Sequence, residues 1–288
     1  MSIDKLHERI RRMKNPSMLD LTVSAAEIPG HIQQGSPVEN YACFCQELLD
    51  GLKDVMPAVR FRFGAFALMG AEGLNALSKL MNQAQELGYY VLLDAPGIVT
   101  PEDAQLTADT LFGSDSYPCD GVLISPYIGS DALKPFLPYC KADKDLFVVV
   151  RSANKSAMEL QDLMTGTRLV HTAAMDIVSR HGENLYAKNG YSRICACVSA
   201  GAPNGIRAIR SNYKYAYLLV DGLEYPSGNH KNCSYAFDRF GYGAVVCAGT
   251  SIRAAWKENE TDGTDFVAQA VDAADRMKKN LARYVTIL

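Results

Sequence analysis

The stretch LLDAPGIVTPEDA, Leu92 to Ala104, decides how the chain is read. Joined to Tyr89–Val91, it is an apolar run that ends on a single acid, Asp94. A run apolar on both faces marks a parallel strand buried on each side. An acid at the C-terminal end of such a strand stands where a barrel enzyme keeps its chemistry. The next five residues, Ala95, Pro96, Gly97, Ile98 and Val99, carry no acid, base or cation.

Seven further runs have the same character: MLDLTV (18–23), AVRFRFGAF (58–66), DGVLIS (120–125), LFVVVRS (146–152), RICACVS (193–199), YAYLLVD (215–221) and GAVVCAG (243–249). Amphipathic segments separate most of them, GLNALSKLMNQAQELG (73–88) and SDALKPFLPYCK (130–141) among them. Strand alternating with helix means parallel strands joined by crossover helices. Eight such units predict an α/β fold, a single closed (β/α)8 TIM barrel over residues 1–288, with extra N- and C-terminal helices. A doubly wound open sheet is the alternative, and no Gly-rich fingerprint follows the first strand to make it a dinucleotide-binding one.

The ends fit that plan. Ile3, Leu6, Ile10 and Met13 recur at helical spacing, which predicts a surface helix with no apolar signal core. The last segment, from Asp262, reads as an amphipathic helix, with acids before it and Lys278 and Lys279 in its later turns to suit its dipole. Two or three helices are expected between Lys155 and Lys188, broken at Gly166 and Gly182.

Composition narrows the function. The chain has 288 residues, 48% hydrophobic and 21% charged, with a net charge of -3. That charge supplies no basic field for nucleic acid or anionic lipid. No apolar run is long enough for a membrane span. The 8 cysteines, without an export signal, are expected as reduced thiols in the cytoplasm. Cys43-x-Cys45 and Cys195-x-Cys197 lack zinc spacing, and both pairs read as core packing. The five histidines make no metal pattern, so no metal is expected, and His171 and His181 are placed on helix surfaces.

Candidate site residues gather at the predicted mouth. Ser125, Pro126, Tyr127 and Gly129 follow strand four, and Arg151, Ser152 and Asn154 follow strand five. Phosphate-binding barrels use the loops after strands seven and eight. Here the first, GLEYPSGN (222–229), holds Glu224 and Pro226 behind Asp221, and reads as a plain surface loop. The second offers Thr250, Ser251 and Arg253. Arg253 either reaches an anion or points into solvent.

Three stretches bring a family into view: ISPYIGSDALKPFL (124–137), VVRSANKSAMELQDL (149–163) and LLDGLKDVMPAVRFRFGAFALMGAEG (48–73). They resemble, in order and over nearly the whole chain, the longer bacterial branch of orotidine 5'-phosphate decarboxylase. The resemblance implies a cofactor-free decarboxylase of pyrimidine biosynthesis, a homodimer, and a nucleotide-like small-molecule ligand at the mouth. It also implies a Lys-Asp-Lys-Asp array, and this sequence departs from it. The first Lys falls on Arg60 and the first Asp of D-x-K-x-x-D on Asp94. The central Lys falls on Pro96 and the partner-donated Asp on Val99. The ribose-holding Asp falls near Thr22, the phosphate loop on Asp221–Gly228 with its Gln at Pro226, and the phosphate-gripping Arg on Thr250.

The sequence therefore nominates Asp94 and Arg60 as the remaining catalytic positions. Ser125, Arg151, Ser152, Asn154, Asp221, Gly222 and Thr250 are nominated as ligand-binding. The leading expectation is a barrel that no longer decarboxylates and serves as a binding, regulatory or repurposed protein. The alternatives are a working decarboxylase with a cation from Lys188, Lys214 or Arg253, a different enzyme on the same barrel, and a non-catalytic partner of an active paralogue. An Arg60–Asp94 ion pair is the reading that requires no chemistry.

Overall fold

A computed structural model describes residues 2–288. Eight parallel strands close on themselves: β1 (Ser17–Asp20), β2 (Ala58–Arg62), β3 (Tyr90–Asp94), β4 (Gly121–Ile124), β5 (Asp145–Val149), β6 (Ile194–Ser199), β7 (Leu218–Asp221) and β8 (Ala244–Ala248). Each pairs with its sequence neighbours, and β1 pairs with β8 to complete the closed barrel. All eight lie on the apolar runs read from the sequence, and the architecture is the (β/α)8 barrel.

Alternation along each strand builds two cores. Leu19, Val59, Phe61, Val91, Leu93, Val122 and Val148 face outward and are buried under the helices. Met18, Ala58, Leu92, Leu123, Phe147, Cys195, Leu219 and Val245 face inward and fill the barrel. Parity carries the same alternation to the mouth, where Asp20, Arg60, Arg62, Asp94 and Asp221 continue the inward series.

The crossover helices start where local chemistry favours them. The second helix of the chain, Pro37–Leu52, has Ser36 and Glu39 in a reciprocal capping box, and the helix after β3, Pro101–Leu111, repeats the device with Thr100 and Asp103. Each box satisfies two otherwise orphaned N–H groups and puts proline at the first position, where no N–H is missed. The helix Phe266–Ala282 packs against Pro37–Leu52 and closes the outer layer.

Three expectations change. The N-terminal helix α1 (Ser2–Met13) is not a surface helix: Ile3 and Leu6 are fully buried, and with Ile10 they join the inward-facing core. It closes the barrel floor, because the side chains at the lower strand ends leave an apolar opening that an amphipathic helix fills. Between Lys155 and Lys188 lie one short helical turn, a hairpin pairing Met164–Thr165 with Arg168–Leu169, and one helix, Val170–Gly182. Gly166 takes φ +64 at the hairpin turn, so it makes a turn and not a helix break. Cys43 is exposed on its helix, whereas Cys45, Cys195 and Cys197 are buried as expected. Among the described residues, no helix is long and apolar enough to cross a membrane.

Candidate functional site

The C-terminal ends of β1, β2, β3 and β7 bring five charges together. Arg60, 1% exposed, places Nη2 2.7 Å from Asp20 Oδ2 and Nη1 3.1 Å from Asp221 Oδ2. Its Nε stands 3.8 Å from Asp94 Oδ2. Arg62 sits beside it, 3.0 Å from Asp20 and 3.6 Å from Asp94. The order Asp221–Arg60–Asp20–Arg62–Asp94 alternates in sign and carries one net negative charge.

Burial and pairing set the proton affinities. Burial disfavours the Asp20 carboxylate, but Arg60 and Arg62 outweigh it and hold its pKa down at about 2. At Asp94 burial prevails over the same two arginines, aided by Asp20 and Asp221, and the pKa rises to about 6. Burial also opposes the charge of Arg60, yet the surrounding aspartates raise its pKa, so it stays cationic. Among the described residues, three buried polar atoms make no hydrogen bond, all of them at this mouth: Thr22 Oγ1, Arg60 Nε and Asp94 Oδ1. Such atoms carry a desolvation cost until a ligand or water meets them.

Beside this array opens a cavity of about 960 Å³, lined in part by Asp20, Thr22, Arg62, Asp221, Glu224 and Arg253. Two carboxylates reach inward to its donors. Glu224 Oε1 accepts from the N–H groups of Gly249 (3.0 Å) and Ser251 (2.8 Å), and Oε2 from Thr250 (3.2 Å). The Ser251 hydroxyl donates to the same carboxylate. Glu27, on the short turn Ala25–Glu27 after β1, accepts from Arg253 Nε (2.8 Å) and Nη2 (3.1 Å). Arg253 is buried, donates also to the Asp20 carbonyl, and has its pKa raised chiefly by Glu27 against the pull of burial.

The loop after β7 is thus more than a plain surface loop, because Glu224 seats it against the β8 loop. Gly222 is required there: φ is +77, and a Cβ would lie 2.5 Å from Ala153 Cβ. Arg253 points neither to solvent nor to a free anion position. Lys188 and Lys214 precede β6 and β7, so they stand at the floor end, opposite the array. Neither brings a cation to the mouth.

The nominated residues divide into two groups. Arg60, Asp94 and Asp221 meet in the array, and Gly222 and Thr250 line the cavity. Ser125, Arg151, Ser152 and Asn154 lie on the mouth loops but outside that lining. Arg151 forms two 2.9 Å bonds to Asp162, and Ser152 bonds Gln161 and Asn154. His171 is buried rather than exposed, because its ring packs against the segment before the hairpin, 3.0 Å from the Gln161 carbonyl and 3.2 Å from Asp162. Ser125 is exposed, and its Oγ accepts from Tyr127 N–H at 3.4 Å. Pro96 and Val99 follow Asp94 on an open loop, with Val99 74% exposed.

Asp20, Arg62, Glu27 and Glu224 were not nominated. Inward parity was a usable signal for the first two, since Asp20 follows Met18 and Arg62 follows Arg60 by two residues. Nothing local in the sequence marks the other two.

No family model matches the chain. A curated relative from Rhodopirellula baltica, named orotidine 5'-phosphate decarboxylase, is 28% identical over 226 residues, 76% of this chain and 75% of its own. One of the same name from Caldicellulosiruptor bescii is 24% identical over 297 aligned positions, 96% of this chain and 97% of its own. The solved OMP decarboxylase of Leishmania donovani superposes with a TM-score of 0.73 at 24% identity, covering 98% of this chain and 99% of that one. That likeness shows the shared barrel. The homologues and structural neighbours of this chain are orotidine 5'-phosphate decarboxylases, bacterial ones of its own length among them.

Proposed function

We propose that the protein is an orotidine 5'-phosphate decarboxylase-like barrel that no longer decarboxylates, and that its mouth binds a small polar ligand. One observation carries this reading: Asp94 is flanked by two arginines, and Pro96 and Val99 stand where the family resemblance puts Lys and Asp. Breaking the bond to carbon dioxide leaves a carbanion that must receive a proton. Arg60, with its pKa raised above an already high value, does not release one, and proline has none to give. Positioned acid catalysis is worth about 10²–10⁴-fold. The unpartnered atoms of Thr22, Arg60 and Asp94 support a ligand that both donates and accepts hydrogen bonds. The free thiols fit a cytoplasmic setting.

A second reading, a working decarboxylase with a remodelled site, is favoured by Asp94 itself. With its pKa pushed up to about 6, it keeps a proton part of the time near neutral pH. The test is turnover of orotidine 5'-phosphate by purified protein, followed by ultraviolet absorbance. No absorbance change supports the proposal. Clear turnover that disappears in Asp94→Asn replaces it with the second reading.

Homodimerisation belongs to the same proposal. Leu68 (91% exposed), Leu106 (68%) and Tyr127 (79%) sit on the mouth loops and helices after β2, β3 and β4, as does Val99. Apolar side chains gathered on one side of a barrel mouth suit contact with a second copy.

A further inference from the structure

We infer that Glu224 is the residue that sets the ligand class of the mouth: by seating its carboxylate on the β8-loop donors, it excludes a phosphate and leaves the cavity to neutral or cationic, hydroxyl- or amine-bearing molecules. The inference deepens the ligand-binding reading above and rests on it.

Three independent observations converge. First, the loop after β8 is one of the places where a barrel holds a phosphate, and its three successive N–H groups, Gly249, Thr250 and Ser251, already donate to Glu224. A carboxylate presents two anionic oxygens to those donors, much as a phosphate would, so a phosphate finds the donors taken. Second, Arg253, the nearby cation that would otherwise serve an anion, is held by both oxygens of Glu27. Each of the two anion-holding elements therefore carries an internal anion. Third, the rest of the lining is acidic on balance. Asp20, Asp221 and Glu258 stand with Arg62 and Arg276, and a dianion would enter against that charge.

The unpartnered atoms of the neighbouring array are mixed. Asp94 Oδ1 is an acceptor without a donor, Arg60 Nε is a donor without an acceptor, and Thr22 Oγ1 can do either. A hydroxyl group, which both donates and accepts, answers all three. A phosphate meets repulsion at Asp94.

The probe is inorganic phosphate, read from the amide signals of Gly249, Thr250 and Ser251 by NMR. It does not depend on any substrate, so failure here is distinct from an observed turnover of orotidine 5'-phosphate. In the natural chain these signals are expected to stay unmoved by millimolar phosphate. In Glu224→Ala they shift saturably, with binding at least about 10-fold tighter. Phosphate shifting the signals of the natural chain as strongly overturns the inference. So does a folded Glu224→Ala, its other amide signals unchanged, that responds no more than the natural chain. Should the alanine variant not fold, Glu224→Gln is read in the same way, with a smaller gain expected.

Discussion

Arg60 and Asp20 form the shortest ion pair of the five-charge array, 2.7 Å between Nη2 and Oδ2, on strands that pair side by side. Asp221 and Asp94 approach the same guanidinium, so removing Arg60 strands three carboxylates at once. Breaking a buried ion pair on one side costs about 3–5 kcal/mol. Arg60→Met is expected to lose stability on that scale in urea unfolding, and Arg60→Lys less. An Arg60→Met protein as stable as the natural chain would mean that the aspartates relax into water unassisted.

The floor of the barrel predicts a pH dependence. Asp145 is fully buried, bonded to the Tyr90 hydroxyl at 2.9 Å, and burial raises its pKa from 3.8 to about 8. The folded chain thus holds a proton that the unfolded chain has released. Its contribution is complete below about 3.8 and disappears as pH rises through about 8. Asp94 acts in the same sense up to about 6. Asp20 acts oppositely, stabilising above 3.8 and failing as pH falls toward 2. Denaturant midpoints should fall as pH rises from about 3.8 through about 8, and Asp145→Asn should flatten that fall. An unchanged slope in the variant would remove Asp145 as its source.

Closure of the floor by α1 is testable through Leu6, which is fully buried in the inner core. Leu6→Ala deletes buried methyl groups where the barrel wall cannot collapse. The loss expected is about 2–5 kcal/mol, read from thermal or urea unfolding. A change close to zero would make the helix a surface appendage after all.

Cysteine accessibility gives a simple chemical check. Of the eight cysteines, all within the described residues, only Cys43 is exposed. Burial and the neighbouring Glu47 raise its pKa, so its reaction with a thiol reagent is slower at neutral pH than that of a free thiol. One equivalent should react in the folded protein, the others only on unfolding, and Cys43→Ser should abolish the first phase.

The proposed homodimer has its own test. Leu68→Glu with Leu106→Glu puts charge on two of the exposed apolar positions near the mouth. Sedimentation should show a dimer for the natural chain and a monomer for the variant. A monomeric natural chain would end that proposal.

The strands were legible because buried parallel strands are apolar on both faces, and the runs were so apart from the charges near the mouth. Those charges followed from position: Asp94 and Asp221 stand where their strands finish, and Arg60 two residues before the end of β2. The floor helix was misplaced because its sequence shows an apolar stripe but not what that stripe meets. His171 and Arg151 were read singly, although their common partner, Asp162, lies between them in sequence. Glu224 was hardest, since its role depends on how two loops from neighbouring strands fold against each other. Lys188 and Lys214 are the avoidable error: each precedes a strand, and chain direction alone puts it at the wrong end.

The seating of Glu224 on Gly249, Thr250 and Ser251 also bears on the chain's history. On the proposed reading, lysine at Pro96 or aspartate at Val99 would have supplied a piece of decarboxylase chemistry while the phosphate seat stayed filled. Vacating the seat first would have supplied a grip with no reaction behind it. On that reading each single step brings no gain, so a lost activity would have no gradual way home once this contact had formed.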